Sequence, residues 1–151
     1  MRRIITALAF LMIFIAAGAQ STKTMTQLKM TQEWDKLFPK SEKVDHKKVS
    51  FHNRYGIELA ADMYTPKNAK GRLAAIAVSG PFGAVKEQSS GLYAQHLAER
   101  GFLTIAFDPS FTGESGGEPR RMASPDINTE DFLAAVDFLS VQENVDAERI
   151  G

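Results

Sequence analysis

Two kinds of hydrophobic pattern follow one another along the chain, and they predict different elements. Residues 48–51 and 57–64 have apolar side chains at alternate positions, which is typical of strands with one buried face. The turn at 53–56 predicts a hairpin in which Gly56 has a positive φ, and Pro66 is expected to end the second strand.

Two later runs, 73–78 and 102–107, are apolar at almost every position, as in strands of a parallel sheet that is covered on both faces. Residues 90–100 between them predict a helix that stops at Gly101. Strand, helix and strand at this spacing predict a βαβ unit with a parallel pair. The predicted buried face of the helix carries Leu92, Tyr93, His96 and Leu97.

A second helix is predicted after a long Gly- and Ser-rich loop, residues 110–121. Asn128 or Thr129 is expected to cap it, with Asp131 reinforcing the cap from the first turn. The expected buried stripe of this helix consists of Phe132, Leu133, Val136 and Leu139.

The amino terminus has the features of a cleavable signal peptide. Arg2 and Arg3 precede an apolar run, 4–16, and an Ala-x-Ala motif follows at 17–19. Because the run is shorter than the ~20 residues of a membrane span, we expect residues 1–19 to be removed on export to the periplasm or the extracellular space. An uncleaved membrane anchor is the alternative.

Residues 20–46 are expected to form an N-terminal arm. Its one apolar cluster, Trp34, Leu37 and Phe38, has the spacing of one face of a short helix that Pro39 ends. Such a helix would dock the arm onto the domain or, alternatively, form a lid over a substrate. The domain itself is expected to occupy residues 47–151, with its last strand beginning at Ile150.

Composition excludes several classes of function. The chain has 18 basic and 18 acidic residues, so no net field attracts nucleic acid or an anionic membrane. It contains no cysteine, which excludes disulfides and thiolate metal sites. The three histidines lack metal-ligand spacing, so neither a metal nor a cofactor is expected. The three histidines are His46, His52 and His96. We interpret His52 as a solvated edge residue and His96 as a packed helix residue.

The turn after the strand 73–78 is the strongest chemical signal. A strand that breaks into Gly80-Pro81-Phe82-Gly83 and then enters a helix leaves backbone N–H groups free for an oxyanion or a phosphate. Neither Gly-x-Gly-x-x-Gly nor Gly-Lys-Ser/Thr is present, so acyl-transfer chemistry is favoured over nucleotide binding.

Residues 113–117 match the Gly-x-Ser-x-Gly pattern of a nucleophile elbow, but the context does not fit. An elbow places its serine directly after a strand and at the start of a helix. Here the strand ends near Phe107, and Glu118-Pro119 follows the motif. Ser115 is therefore expected to belong to a loop near a site, not to act as the nucleophile.

Three segments in this order, 78–88, 106–120 and 145–151, resemble the front half of α/β-hydrolases of the dienelactone-hydrolase-like type. The family usually has histidine where this chain has Gly80, and glycines where it has Phe82 and Ala84.

The resemblance implies an α/β fold: an antiparallel hairpin followed by parallel strands, incomplete before the nucleophile elbow. The nucleophile, a serine or a cysteine, would follow the strand that begins at Ile150, so no catalytic residue is expected within the chain. The chain would supply half of an oxyanion hole. Pro81 has no N–H, so Phe82 is the preferred donor and Gly83 the second. Residues expected at the rim of the active site are Lys86, Asp108 and Ser115.

The expected function is therefore that of the N-terminal fragment of an exported carboxylic-ester hydrolase, inactive as it stands, whose complete form acts on a small ester-like molecule. A small secreted binding module without catalysis is the alternative; the arm around Trp34 and the Gly-rich loop would form its recognition surface.

Overall fold

The fold was analysed in a computed structural model that describes residues 28–151. The expected signal peptide and the first part of the arm lie outside the described residues. Within the described part of the chain, no helix combines the length and apolar character needed to cross a bilayer.

Five strands form one mixed sheet, with a helix on each face. The elements are β1 (Val44–His52), β2 (Glu58–Pro66), β3 (Leu73–Val78), α1 (Ser89–Glu99), β4 (Leu103–Phe107), α2 (Pro125–Ser140) and β5 (Val145–Ile150). The strand order is β1-β2-β4-β3-β5. β1 and β4 are antiparallel to β2, whereas β4 and β5 are parallel to β3. This confirms the predicted fold class, a hairpin followed by a parallel βαβ unit.

Each face of the sheet has its own core. On the α2 side, Leu59, Ile105 and Leu139 are fully buried. On the α1 side, Tyr64 and Ala98 are fully buried within a second cluster, against which Trp34 of the arm packs. The central strands are thus covered on both faces, which is why β4 is buried at every position.

The predicted buried faces of the two helices are only partly correct. Leu139 of α2 is fully buried as expected, and Leu92, Leu97 and Val136 are half-buried. On α1, however, Tyr93 is 67% exposed, and His96 is exposed and hydrogen-bonded to Glu99, so it is not a packed histidine. On α2, Phe132 and Leu133 are exposed. The buried residues of α1 are small or polar: Ser90, Gly91, Ala94, Gln95 and Ala98. Those of α2 are Glu130, Asp131, Ala134, Ala135 and Leu139.

α2 also begins one turn earlier than predicted. Ser124 is its N-cap and Pro125 its first residue, a combination typical of helix starts. Asn128 and Thr129 therefore lie inside the helix, and Asp131 is not a capping residue. The carboxylate of Asp131 instead accepts hydrogen bonds from the loop after β4, as described below.

The short helix predicted in the arm is absent from residues 28–43. The backbone there bonds to other elements: Leu37 N–H donates to the carbonyl of Glu87, and Ser41 N–H donates to Gln95 of α1. Trp34 and Phe38 pack edge to face, while Leu37 is 79% exposed. The arm does dock onto the domain, but as an extended segment.

Two strand boundaries also differ from the prediction. β1 begins at Val44, four residues before the predicted start at 48, because Val44 to His52 pair without interruption with β2. Ile150 ends β5 and does not begin it.

Candidate functional site

The β3–α1 loop, residues 79–88, contains a tight turn with free backbone donors. Ala84 N–H donates to the Pro81 carbonyl at 2.9 Å, which leaves Phe82 and Gly83 as the central residues. Gly83 has φ of +79°, as the third residue of a type II turn requires. Within residues 28–151, neither the Phe82 nor the Gly83 N–H has an acceptor. Both are thus available to an anion at the carboxyl end of β3.

A cavity of about 550 Å³ lies between this turn and the segment 111–122. It is lined by Phe82, Gly83, Val85, Phe111, Thr112, Gly113, Arg120, Arg121 and Met122. A second cavity of about 120 Å³ shares part of this wall and extends toward Ser79 and Asn128. Large apolar side chains and two guanidinium groups therefore surround the preferred oxyanion donor.

The Gly-x-Ser-x-Gly segment, residues 113–117, packs against Asp108 and hydrogen-bonds to it. The Ser115 hydroxyl donates to the Asp108 carbonyl at 2.7 Å and accepts from Ala60 N–H at 2.9 Å. A Cβ at Gly113 would lie 2.2 Å from the Asp108 carboxylate. A Cβ at Gly117 would lie 2.5 Å from the Phe111 ring. The two glycines and the serine of the motif thus have structural roles, and the hydroxyl of Ser115 already makes two hydrogen bonds.

Lys86 and Asp108 form a fully buried pair beneath the turn. Lys86 N–H donates to Asp108 Oδ1 and Lys86 Nζ to Asp108 Oδ2, both at 2.8 Å. Lys86 Nζ also donates to Glu114 Oε2 at 2.8 Å and to Glu87 Oε1 at 2.5 Å. Lys86, Asp108 and Ser115 were expected at the rim of the active site; all three are buried, and none of them lines the cavity.

The ionisation of this group is set by its partners. Burial by itself would lower the pKa of the Lys86 ammonium, but the charge of Asp108 and the hydrogen bonds to Asp108, Glu114 and Glu87 outweigh burial and raise the pKa. Burial likewise would raise the pKa of Glu114, yet hydrogen bonds from Lys86, Thr31 and Lys48 lower it. Lys86 and Glu114 are therefore both charged at neutral pH.

The charged cluster extends into the hairpin and the arm. Lys48 Nζ lies 3.1 Å from both Glu114 and Asp35. Asp62 accepts from His46 and is paired with Lys36, both at 2.8 Å. Sequence reasoning missed these residues. The available signal was Asp62, a carboxylate directly opposite Lys48 in the hairpin register and within an otherwise apolar strand.

Three carboxylates of the cluster have the separation of possible metal ligands. Oxygens of Asp35, Glu87 and Glu114 lie within 4.8 Å of one another. The ammonium groups of Lys48 and Lys86 already hydrogen-bond to Glu114 within this group. Lysine thus supplies the positive charge that these carboxylates require.

The loop after β4 is anchored from a second side. Asp131 of α2 accepts from Ser110 N–H at 2.8 Å and from Ser110 Oγ at 2.7 Å. Asn53 in the hairpin turn donates to the same carboxylate at 2.8 Å. The cavity wall therefore rests on buried polar contacts at both ends.

β5 ends beside β3, the strand that precedes the donor turn. Gly151 N–H donates to the Ala75 carbonyl at 3.0 Å, and Ala77 N–H donates to the Gly151 carbonyl at 2.8 Å. Because β5 and β3 are parallel, their carboxyl ends lie at the same edge of the sheet. Open α/β sheets bind ligands at this edge.

Comparison with known proteins identifies the fold to which this sheet belongs. An uncharacterized protein of Pseudomonas aeruginosa is 71% identical over 129 residues, covering 85% of this chain and 35% of the relative. A crystal structure of a hypothetical P. aeruginosa protein, 72% identical, has a TM-score of 0.82 and covers 83% of this chain and 40% of its own. The chain spans about a third of the length of the curated relatives that it matches.

Two further similarities are to proteins with a stated activity or fold. A thiohydrolase of Aspergillus aculeatus is 33% identical over 111 residues, which cover 74% of this chain and 34% of the relative. An α/β hydrolase from Penicillium is 25% identical with a TM-score of 0.62, covering 70% of this chain and 36% of its own.

The sequence profile of the X-Pro dipeptidyl-peptidase (S15) family matches residues 55–151. With the strand order and these similarities, the match shows that the chain belongs to this α/β-hydrolase-type family and has the fold of the N-terminal part of an α/β hydrolase.

Proposed function

We propose that the chain supplies the oxyanion-binding half of a carboxylic-ester hydrolase of the dienelactone-hydrolase-like type. The observation that carries the proposal is the pair of free N–H groups at Phe82 and Gly83, which border a cavity of about 550 Å³. The carboxyl end of β5 lies at the same edge of the sheet. In α/β hydrolases the nucleophile belongs to the turn between a strand and the following helix.

In the proposed reaction, a serine or cysteine after β5 attacks the ester carbonyl. The carbonyl oxygen becomes negatively charged, and backbone N–H groups fixed in advance stabilise it. One donor is the N–H of the residue after the nucleophile. Phe82 is our choice for the other and Gly83 is the second candidate, since Pro81 has no N–H.

The walls of the cavity favour a small substrate with an apolar part. Phe82, Val85, Phe111 and Met122 provide apolar surface, and Arg121 adds a positive charge. Arg120 is less available because its guanidinium donates to the carbonyls of the 113–117 segment, including Gly113 at 2.7 Å. Names of relatives such as thiohydrolase and acyltransferase are consistent with acyl-transfer chemistry.

The 151-residue chain alone is proposed to be inactive. Ser115, the residue that matches the elbow motif, has its hydroxyl bonded to Asp108 and Ala60. We also propose export directed by residues 1–19; mature protein recovered outside the cytoplasm with Gln20 at its amino terminus supports this, and cytoplasmic protein that retains Met1 contradicts it.

The function is tested by hydrolysis of p-nitrophenyl acetate. The 151-residue chain is expected to show no saturable hydrolysis, whereas the chain joined after Gly151 to the remaining part of its 71% identical relative is expected to be active. In the joined protein, Phe82→Pro removes one N–H at a turn position that proline favours. We expect kcat to fall about 100- to 1000-fold with little change in KM.

Phe82→Ala is the matched control because it keeps the N–H and removes the exposed ring. Unchanged kcat in Phe82→Pro would transfer the donor role to Gly83. Saturable activity of the 151-residue chain that is lost in Ser115→Ala would overturn the proposal as a whole.

A further inference from the structure

We propose that Lys86 is a positioning residue: it fixes the donor turn of the β3–α1 loop by joining that loop to two carboxylates from the other side of the site, the fully buried Asp108 and the partly buried Glu114. The inference rests on the proposed role of this loop in oxyanion binding. It assigns to Lys86 a function through the geometry of Phe82 and Gly83, with no contact to the substrate.

The contacts of Lys86 connect the β3–α1 loop, which carries the donors, to the end of β4 and to the loop that follows β4. Its N–H and its Nζ bind the two oxygens of Asp108, so backbone and side chain of one residue are held by one carboxylate at the end of β4. Its Nζ also binds Glu114, which lies in the loop that forms the opposite wall of the cavity. Only two residues lie between Gly83 and Lys86, so the turn can move little relative to the Lys86 side chain.

Glu114 extends the same constraint to the arm and the hairpin. Its other oxygen accepts from Thr31 N–H at 2.8 Å, and its Oε2 also accepts from Lys48 at 3.1 Å. Glu114 N–H in turn donates to Asp108 Oδ2 at 2.9 Å. A shift of the turn would therefore break charged hydrogen bonds in several segments at once, which strongly restricts its movement.

Charge balance makes Lys86 difficult to replace. In the cluster, carboxylates outnumber lysines five to three: Asp35, Asp62, Glu87, Asp108 and Glu114 against Lys36, Lys48 and Lys86. Without Lys86, the fully buried Asp108 would lose its only lysine partner in the described residues. Negative charge would then remain unpaired beneath a turn that is proposed to stabilise an oxyanion, and buried unpaired charge is strongly unfavourable.

Lys36 provides a matched control for these properties. Its side chain is fully buried, and its Nζ lies 2.8 Å from Asp62, just as that of Lys86 lies 2.8 Å from Asp108. Lys36 belongs to the arm, and within residues 28–151 its ammonium pairs with Asp35 and Asp62 and with no residue of the β3–α1 loop. Loss of either lysine leaves a buried aspartate without that partner, but only loss of Lys86 releases the turn.

The test measures backbone order in the 151-residue chain by ¹⁵N NMR relaxation. In the wild-type protein we expect order parameters near 0.85 at Phe82 and Gly83, the value of rigid backbone. Lys86→Met should lower both below about 0.6, a flexible value. Lys36→Met should lower the melting temperature by a similar amount and leave the two order parameters unchanged. Glu114→Gln, which keeps the Lys86–Asp108 pair, should give an intermediate decrease.

Equal effects of Lys86→Met and Lys36→Met at Phe82 and Gly83, or no effect of Lys86→Met, would overturn the proposal. If Lys86→Met does not fold, Glu114→Gln and Glu87→Gln decide: a decrease confined to the turn supports positioning, and an unchanged turn contradicts it. Because no measurement here uses activity, failure of the positioning role is distinguishable from failure of the proposed hydrolase function.

Discussion

At the residue scale, Gly80 and Ala84 are two positions where the sequence of this loop differs from the dienelactone-hydrolase-like type that it resembles, and the structure gives a reason. That family usually has histidine at the first position and glycine at the second. A Cβ built on Gly80 would lie 2.8 Å from the Cβ of Ala84, because the turn at Pro81 folds back over Gly80. One of the two positions must therefore be glycine in this backbone.

The stabilities of single and double variants should show this coupling. Gly80→Ala is expected to lower the free energy of unfolding by roughly 1–3 kcal/mol, the usual cost of an overpacked contact. Gly80→Ala combined with Ala84→Gly should recover most of that loss, since the second change removes the clashing atom. Urea unfolding of both single variants and the double variant measures the coupling; strictly additive effects would show that the contact does not limit position 80.

The residue scale also marks where sequence reasoning succeeds and where it ends. Lys86 and Asp108 could be singled out because both follow strand ends in segments that resemble a known family. Their mutual contact could not be predicted, since 22 positions separate them and no periodicity relates a loop residue to a strand end. Ser115 could be set aside from local context alone, but its bonds to Asp108 and Ala60 required the folded chain.

At the scale of elements, the strands of the hairpin and of the βαβ unit were predictable, whereas the start of β5 and most of the helix faces were not. β3 was expected at 73–78 and lies at Leu73–Val78, because a run of apolar residues between a charged loop and a Gly-Pro turn has few other structures available. The helix faces were assigned from large apolar residues at helical spacing, whereas most of the buried positions carry small or polar residues. Gly91 shows one reason: a Cβ there would lie 2.2 Å from the Lys86 carbonyl in the β3–α1 loop and 3.1 Å from the Phe38 ring of the arm.

Gly91→Ala tests this interpretation of α1. Alanine is a better helix former than glycine by about 1 kcal/mol, so intrinsic propensity alone predicts a more stable protein. We expect the opposite sign, a loss of roughly 1–3 kcal/mol, because the added methyl group meets backbone that cannot yield without moving the β3–α1 loop. Tyr93→Ala on the exposed face of the same helix is the control and should change stability by about 0.5 kcal/mol or less. A stabilised Gly91→Ala variant in chemical denaturation would contradict the close approach of α1.

At the scale of the whole molecule, a net charge of zero conceals a strongly uneven distribution. The buried cluster draws its lysines and carboxylates from the arm, both strands of the hairpin and the loops after β3 and β4. Composition gave the expectation that nucleic acid is not a partner, but it could not reveal a cluster whose members are scattered over residues 35–114. The cluster dominates the expected response of the protein to pH.

The acidic limb, the loss of folding stability as the pH falls, is expected to follow from Asp62 and Glu114. Burial would raise the pKa of Asp62, but hydrogen bonds from His46 and Lys36 and nearby lysine charges lower it, and the pKa of Glu114 is lowered by Lys86, Thr31 and Lys48. Their pKa values in the unfolded chain are about 4. As the pH falls, the unfolded chain therefore binds protons first, and stability that is fully present above about pH 5 is lost progressively below it.

The basic limb has the opposite sign and a different range. Lys86 and Lys48 have raised pKa values in the folded protein, so the stability that they contribute is fully present below the unfolded value of about 10.4 and is lost only as the pH rises beyond it.

Urea midpoints should accordingly be nearly constant from pH 6 to 9 and should fall between pH 5 and 3. Glu114→Gln should lower the midpoint at pH 7 and flatten the acidic limb, because one of the titrating carboxylates is gone. Glu143→Gln, at an exposed site outside the ion pairs described here, should reproduce the wild-type profile. An acidic limb equally steep in Glu114→Gln and the wild type would mean that the cluster does not control acid stability.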